Sequence, residues 1–410
     1  MTRHVSWLCF FALVISAHTA ADSRLRVKLA GDFTKLSSQD VFEERYKKSA
    51  LQNLRSNVRY MYDRSKSRWS FEFHGVGHGV VSNTGYFAEN SSSSRLFDPE
   101  PSGYWNLSKE LVSGSRHFAS VNIDRLRLTY RSEEWRVMIG RLPVSWGRGI
   151  VYQPLDVFNA YPPTAIDREF KPGNDSLVVE RLFNNGSELQ LLSTFRDSEH
   201  VHVASGSSST HVFKGYFASG ESEIDLILGR HWDETIVGMS VASPVSSILV
   251  RADVVFTCED MESCTISAVV NADYSHGIMG GLLYTFAEYF YNGFGVTSKH
   301  KKTTNLPKRL LAGIQRGEIF AYGRHLIATG ASVTWHPLWN QSLSLLVNAN
   351  DGSFLVQTNI TFVPTDNVNL TFGMLLPVGD TNEEFGAIEL EDSLTTGGNS
   401  GLFFELSYYR

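Results

Sequence analysis

The sequence predicts an all-β fold: a transmembrane, antiparallel, up-and-down β-barrel of about 18 strands, with 16 strands as the alternative. Apolar and polar residues alternate with period two in repeated segments of about ten residues, which is typical of strands that have one apolar face. Short, turn-like connections, among them 243–244 and 275–277, are mostly interleaved with long ones. A bacterial membrane barrel has this layout, with short turns at one end and long loops at the other.

The alternation recurs along most of the chain and ends in a candidate closing strand at 402–409. If the apolar side chains face lipid, the intervening polar ones line the lumen. Segment 306–323 fits either an excursion of a loop or an extra strand, and it is the source of the ambiguity in strand number. The clearest alternating segments are 24–29, 57–62, 69–74, 125–130, 248–257, 265–272 and 367–374.

Connection lengths separate a barrel from a soluble β-sandwich, which also alternates but does not sort its loops by length so consistently. A closed barrel has no sheet edge and satisfies every backbone polar group inside lipid. The predicted long loops are 34–52, 82–117, 143–175, 197–209, 292–323 and 377–400.

Residues 1–21 predict a secretory signal peptide, because Arg3 and His4 precede a short apolar run and then small residues. Residues 22–410 then form a single barrel domain, since barrels of this length are commonly one domain. The net charge of −6 argues against nucleic-acid binding. Cys258 and Cys264 remain after export; they either form a disulfide that braces a loop or stay as two free thiols.

The stretch 140–175 contains five prolines and four glycines, so it cannot form one regular helix or strand. It also contains Trp146, Tyr152, Phe158 and other apolar side chains, which are too many for a solvated loop. We therefore expect an ordered loop, residues 143–175, that packs inside a larger structure.

Two motifs resemble known families. The carboxy-terminal segment resembles the assembly signal of bacterial outer-membrane barrels, although Arg410 replaces the usual terminal aromatic residue. The pattern G-R-x-P-x-x-W-G-x-G, then P-x-D-x-F-N, then P-G-x-D in 140–175 resembles a segment of porin-like and export-channel barrels. The resemblance implies residence in the bacterial outer membrane, among its lipids and lipopolysaccharide, and insertion by the barrel assembly machinery. It leaves a homo-oligomer open.

In general porins the loop after the fifth strand folds into the lumen and narrows the pore, and the resemblance implies the same for 143–175. A lid over the mouth or a contact with a neighbouring subunit is the alternative. The candidate constriction residues are Arg148, Asp156, Asp167, Arg168, Glu169, Lys171 and Asp175. A basic lumen wall is expected opposite them from Arg26, Lys28, Arg55, Arg59, Arg125, Arg127 and Arg136.

Such a wall facing an acidic loop predicts a strong transverse field, with ion preference set by lumen charge. The alternative is that the charges pair and fill the barrel without conduction. We expect passive diffusion of small hydrophilic or charged solutes, with no cofactor, no metal and no catalysis. A non-conducting barrel that acts as a phospholipase- or protease-type enzyme, an adhesin or a scaffold is the other hypothesis. The pairs His74/His78 and His200/His202 are interpreted as solvated wall or loop residues.

Overall fold

The computed structural model describes residues 23–84, 103–196, 209–260, 263–278, 280–297, 306–389 and 394–410. The expected signal peptide and the pair His200/His202 lie outside these residues. No helix in the described part of the chain is long and apolar enough to cross a membrane.

Eighteen antiparallel strands of the described chain form a closed barrel, which confirms the predicted fold class. The first half of the chain contains β1 (Ser23–Lys35), β2 (Ala50–Lys66), β3 (Trp69–Ser82), β4 (Ser108–Gly114), β5 (His117–Arg131), β6 (Trp135–Leu142), β7 (Asn174–Leu182), β8 (Glu188–Thr194), β9 (Thr210–Ser219) and β10 (Ser222–His231). The second half contains β11 (Glu234–Val245), β12 (Ile248–Cys258), β13 (Cys264–Ile278), β14 (Gly281–Tyr291), β15 (His325–His336), β16 (Trp339–Asn348), β17 (Phe354–Thr365), β18 (Val368–Val378), β19 (Ala387–Glu389), β20 (Thr395–Gly397) and β21 (Gly401–Tyr409).

The barrel closes where β21 pairs with β1, in a register that places Tyr408 opposite Val27. Strands β4, β19 and β20 are not staves of the barrel: β4 forms a hairpin with β5, and β19 pairs with β20. Two short helices, α1 (Val41–Tyr46) and α2 (Lys308–Gln315), lie in long loops. Segment 306–323 is therefore a loop excursion that contains a helix.

All connections at one end of the barrel are short, and the start of β1 and the end of β21 lie there too; we call it the turn end. The opposite end carries the long loops, but it also has short connections between β10 and β11, between β12 and β13 and between β16 and β17. Two predicted turns are misplaced, because Ser243–Pro244 lies inside β11 and 275–277 lies inside β13. The chain reverses after β11 at Ser246, which has a positive φ of 60°.

Strands β4 and β6 share one side of β5. Strand β6 pairs with the part of β5 nearer the turn end, from Leu126 to Arg131, and β4 pairs with the part farther from the turn end. Because β6 ends at Leu142, the chain leaves the wall about half-way up β5 and turns into the lumen. The long loop therefore enters the lumen where the short strand β6 ends.

Cys258 and Cys264 are opposite one another in the register of β12 and β13, and their sulfur atoms are bonded. The bond lies at the loop end of the barrel, opposite the turn end. It braces the connection between the two strands.

Candidate functional site in the barrel lumen

The loop of residues 143–173, here called the inner loop, lies inside the barrel. Its side chains and backbone contact strands around the lumen, from β1 through β12 and β14 to β21. This places the predicted loop 143–175 in the lumen, with its last two residues, Asn174 and Asp175, at the start of β7.

An apolar seat holds the first half of the inner loop. The rings of Trp146 and Phe158 meet edge to face at 4.9 Å, and Phe158 is fully buried. Tyr152 stacks on Phe290 of β14 at 4.9 Å. Inward-facing apolar residues of the wall complete the seat, so the lumen is not lined by polar residues alone. They include Val178, Leu192, Val212, Ile227, Ile236 and Val255.

The same half of the loop is bound by an acidic wall, formed by Glu223, Asp225, Asp253 and Glu288 on β10, β12 and β14. The guanidinium of Arg148 lies 2.6 Å from Glu223 and 3.0 Å from Asp225. Asp253 and Glu288 accept hydrogen bonds from the backbone of residues 148–152. The acidic wall was not anticipated from sequence, although its members occupy polar positions in strands whose alternate residues are apolar.

The second half of the inner loop is bound by basic residues of β1. Asp167 lies 2.6 Å from a guanidinium nitrogen of Arg26 and also contacts Lys28. Glu169 lies 3.4 Å from Arg26 and accepts a hydrogen bond from the Tyr409 hydroxyl at 2.9 Å. Burial raises the pKa of Asp167, but the charges of Lys28 and Arg26 outweigh it and lower the pKa to about 2.

Phe170 extends this contact. Its ring lies under the guanidinium groups of Arg59, 4.2 Å away, and Arg26, 5.1 Å away. Cations over an aromatic face are attracted by its quadrupole. The loop is therefore held on this side by charge and by stacking.

An ion pair between Asp156 and Lys171 fastens the two halves of the loop to each other, and both side chains are buried. Burial raises the pKa of Asp156 and lowers that of Lys171, because both charged forms lose hydration. Arg168 has a related role, since it donates to the backbone carbonyls of Ile150, Pro163 and Ala165 at 2.9, 3.1 and 3.3 Å. These three predicted constriction residues hold the loop together internally.

Asp175 is placed at the base of the loop, fully buried. Arg141 binds both of its carboxylate oxygens, at 2.7 and 2.8 Å, and the backbone N–H of Trp105 donates to it at 2.9 Å. Arg141 and Asp175 are register partners on β6 and β7. Arg141 was missed as a candidate, although it is the second residue of the motif that Asp175 closes.

The transverse field expected from sequence needs correction, because each residue of the predicted basic wall contacts an acidic residue. Lys28 also contacts Glu405 at 2.7 Å, and Arg125 contacts Asp124 at 3.1 Å. The acidic loop does not face an uncompensated wall. The remaining pairs are Arg55 with Asp32, Arg59 with Asp124, Arg127 with Glu72 and Arg136 with Glu180.

Asp63, Glu72 and His74 form the one group of three potential metal ligands found in the described chain. Arg59 lies 3.3 Å from Nδ1 of His74, while Arg24 and Arg127 bind the two carboxylates. If Arg59 donates to Nδ1, the imidazole proton lies on Nε2, the atom that faces the carboxylates. The group therefore fits an arginine-linked network better than a cation site.

A closed barrel of 18 antiparallel strands with a long loop inside its lumen has the architecture of porin-type outer-membrane barrels. No family model and no curated protein matches the chain. Solved structures do. OccK9 (OpdG) of Pseudomonas aeruginosa has a TM-score of 0.54 and 10% identity, covering 94% of this chain and 97% of that one.

Two further structures show the same likeness. A BenF-like porin of Pseudomonas fluorescens Pf-5 has a TM-score of 0.53 and 10% identity, covering 96% of this chain and 99% of that one. OccAB3 of Acinetobacter baumannii has a TM-score of 0.52 and 9% identity, covering 95% of this chain and all of that one. At these identities the likeness establishes the fold.

Proposed function

We propose that this protein is an outer-membrane channel for the passive diffusion of small hydrophilic or charged solutes. The observation that carries the proposal is the inner loop, which crosses the lumen and is anchored to opposite walls; we infer that it narrows the pore. Porins among the similar structures support the same function.

Selectivity follows from which charges face water. The side chains of Asp167, Glu169 and Glu223 are 36%, 39% and 46% exposed, whereas those of Arg26 and Lys28 are 3% and 8% exposed. The carboxylates therefore face the solute pathway, and the cations lie behind them, away from the pathway. We therefore expect a preference for cations among inorganic ions, because lumen charge sets ion preference in a narrow pore.

The mechanism needs no covalent chemistry and no cofactor. Solutes pass through the water-filled part of the lumen and exchange hydration for contacts with the polar side chains beside the inner loop. Size is limited by the loop, and charge is selected by its exposed carboxylates.

Residence and assembly belong to the same proposal. The exposed apolar belt, which includes Phe213 and Phe372, fits outer-membrane lipids and lipopolysaccharide. Strand β21, which ends at Tyr409, would be read by the barrel assembly machinery after removal of residues 1–21. A homo-oligomer would use the outer face of the same single barrel domain, 22–410.

Planar-bilayer recording of the purified, folded protein tests the function. We expect discrete conductance steps and a reversal potential of the sign for cations in a KCl gradient. The same preparation unfolded by heat is the control. A heat-modifiable, folded barrel that gives no conductance would contradict the proposal and favour an enzyme, adhesin or scaffold.

A further inference from the structure

Five consecutive backbone N–H groups of the inner loop point at two carboxylates of the wall. Asp253 accepts from Arg148 and Gly149 at 2.7 and 3.2 Å. Glu288 accepts from residues 150, 151 and 152 at 2.6, 3.0 and 2.8 Å. Successive amides that converge on anions form a concave binding site of the kind that elsewhere holds bound anions. Here the anions belong to strands β12 and β14.

The local sequence allows this arrangement. Gly147 has a φ of 83°, in the left-handed region, which turns the chain so that the following amides face the wall. A side chain at Gly149 would collide with the carbonyl of Tyr152. The two glycines of the W-G-x-G motif therefore serve the approach of the backbone to the carboxylates.

The carboxylates are themselves oriented by neighbours. Ser240 donates to the second oxygen of Asp253 at 2.6 Å, and Asn271 donates to Glu288 at 3.2 Å. Both residues lie on adjacent strands of the wall. The guanidinium of Arg148 binds Glu223 and Asp225 instead. The donors to Asp253 and Glu288 described above are therefore uncharged N–H and O–H groups.

We propose that Asp253 and Glu288 are positioning residues that fix the inner loop in the lumen and thereby set the width of the pore. The proposal rests on the proposed channel function for its consequence, but the loop contact itself can be measured separately. The two carboxylates anchor the start of the loop, while Arg26 and Lys28 anchor its far half. Release of the first anchor frees the segment that carries Arg148.

Glu288→Gln and Asp253→Asn are the test variants. A carboxamide has one acceptor oxygen, whereas a carboxylate has two. In Glu288→Gln the side-chain NH2 group must therefore face either the backbone N–H of Ile150 or those of residues 151 and 152, which are donors themselves. Glu180→Gln is the matched control, because Glu180 is a buried wall carboxylate of β7 that binds Arg136 and Gln190 and not the inner loop. All three variants remove one negative charge.

Hydrogen exchange of the peptide that contains residues 148–152 is the first readout. We expect exchange to accelerate at least about tenfold in Glu288→Gln, since local opening becomes easier. The acceleration should be smaller in Asp253→Asn, because its amide oxygen can still accept from Arg148 and Gly149 while its NH2 group faces the Ser240 hydroxyl. The control should exchange like the wild type. Unchanged exchange in both test variants would overturn the proposal, whether or not the protein conducts.

Single-channel conductance is the second readout and records assembled pores only. We expect a larger mean conductance with more open-channel noise in both test variants and not in Glu180→Gln. If all three variants change equally, lost charge is the cause and the positioning role is wrong. If neither test variant assembles, the carboxylates are required by the barrel itself, which also contradicts a role specific to the loop.

Discussion

The carboxylate of Asp167 lies 2.6 Å from the guanidinium of Arg26, which holds the far half of the inner loop against the first strand of the barrel. Asp225 binds Arg148 at the opposite wall, so the signs of the two contacts are reversed. The loop is thus a charge-matched bridge across the lumen. This arrangement explains why the loop carries dense charges of both signs.

Removal of the Asp167 charge should move ion selectivity toward anions. In Asp167→Asn, Arg26 and Lys28 keep Glu169 and Glu405 as partners. The electrostatic potential in the solute pathway nevertheless becomes more positive, because one carboxylate charge is lost. Permeating ions pass within about a Debye length of this group, which is near 8–10 Å at ordinary salt. The reversal potential in a KCl gradient measures the shift. Asp366→Asn, in a turn outside the lumen, is the control, and an identical potential in both variants would refute the assignment.

The pH dependence of that shift follows from the pKa of Asp167, which is lowered to about 2. A lowered pKa keeps the carboxylate charged through the range in which ordinary Asp is protonated, and its ion pairs are lost only as pH falls toward 2. The difference in reversal potential between wild type and Asp167→Asn should therefore be the same at pH 7 and pH 4. A difference already halved at pH 4 would mean that Asp167 titrates like an exposed carboxylate.

Asp175 should matter for the stability of the barrel more than Asp167 does, because it is fully buried against Arg141. Asp175→Asn leaves a buried guanidinium without its anion and should lower the free energy of unfolding by about 3–5 kcal/mol. Asp167→Asn, at a partly exposed pair, should cost no more than about 1 kcal/mol. Urea unfolding of the refolded barrel in lipid vesicles measures both. Equal stability of the two variants would contradict the structural role of Asp175.

The lipid face can be tested on a single strand. Phe372 of β18 is 59% exposed on the outer surface, and Asn369 lies on the other face of that strand. Phe372→Arg should reduce the heat-modifiable, folded fraction, since an arginine near the bilayer midplane costs about 2–4 kcal/mol on such barrels. Asn369→Arg places the same group in the lumen and should fold. Comparable folding of both variants would point to a barrel that is not surrounded by lipid.

Sequence periodicity predicted the barrel because strand faces are a local property. Val27 and Lys28 differ in polarity and must point to opposite faces whatever their partners are. Strand number followed from the same pattern. The sorting of loops by length was only partly correct, because the loop end also carries short connections such as 232–233 and 349–353. The turn after β11 was misplaced because Pro244, a residue typical of turns, is accommodated near the end of the strand.

The inner loop was predicted for a different reason: its apolar residues required burial and its prolines excluded regular structure. A basic wall opposite the loop was expected, and Arg26 and Lys28 of that wall bind Asp167. The individual pairs and the acidic wall were not predicted, because they depend on pairings between distant strands. Asp253 and Glu288 are separated from the amides that they bind by more than one hundred residues. Likewise, the sequence does not show which acidic residue lies beside each arginine of the basic wall, because this depends on the register between strands. Arg136 and Glu180, which are register partners, are an example.

The central claim, that the inner loop narrows a conducting pore, is tested most directly by removing the loop. Asn159 and Pro172 lie close together, since the Asn159 amide donates to the Pro172 carbonyl at 3.4 Å, so residues 160–171 can be replaced by two glycines. Asp156→Asn must accompany the deletion, because Asp156 would otherwise lose Lys171 and remain as a buried, uncompensated charge.

Single-channel conductance of this variant should exceed that of the protein carrying Asp156→Asn alone by roughly twofold or more, with weaker ion selectivity, because the narrowest cross-section limits ion flow. The variant must stay heat-modifiable on gels, which shows that the barrel is folded. A folded variant with unchanged conductance and unchanged selectivity would contradict the account: the inner loop would then fill the barrel without controlling the pathway.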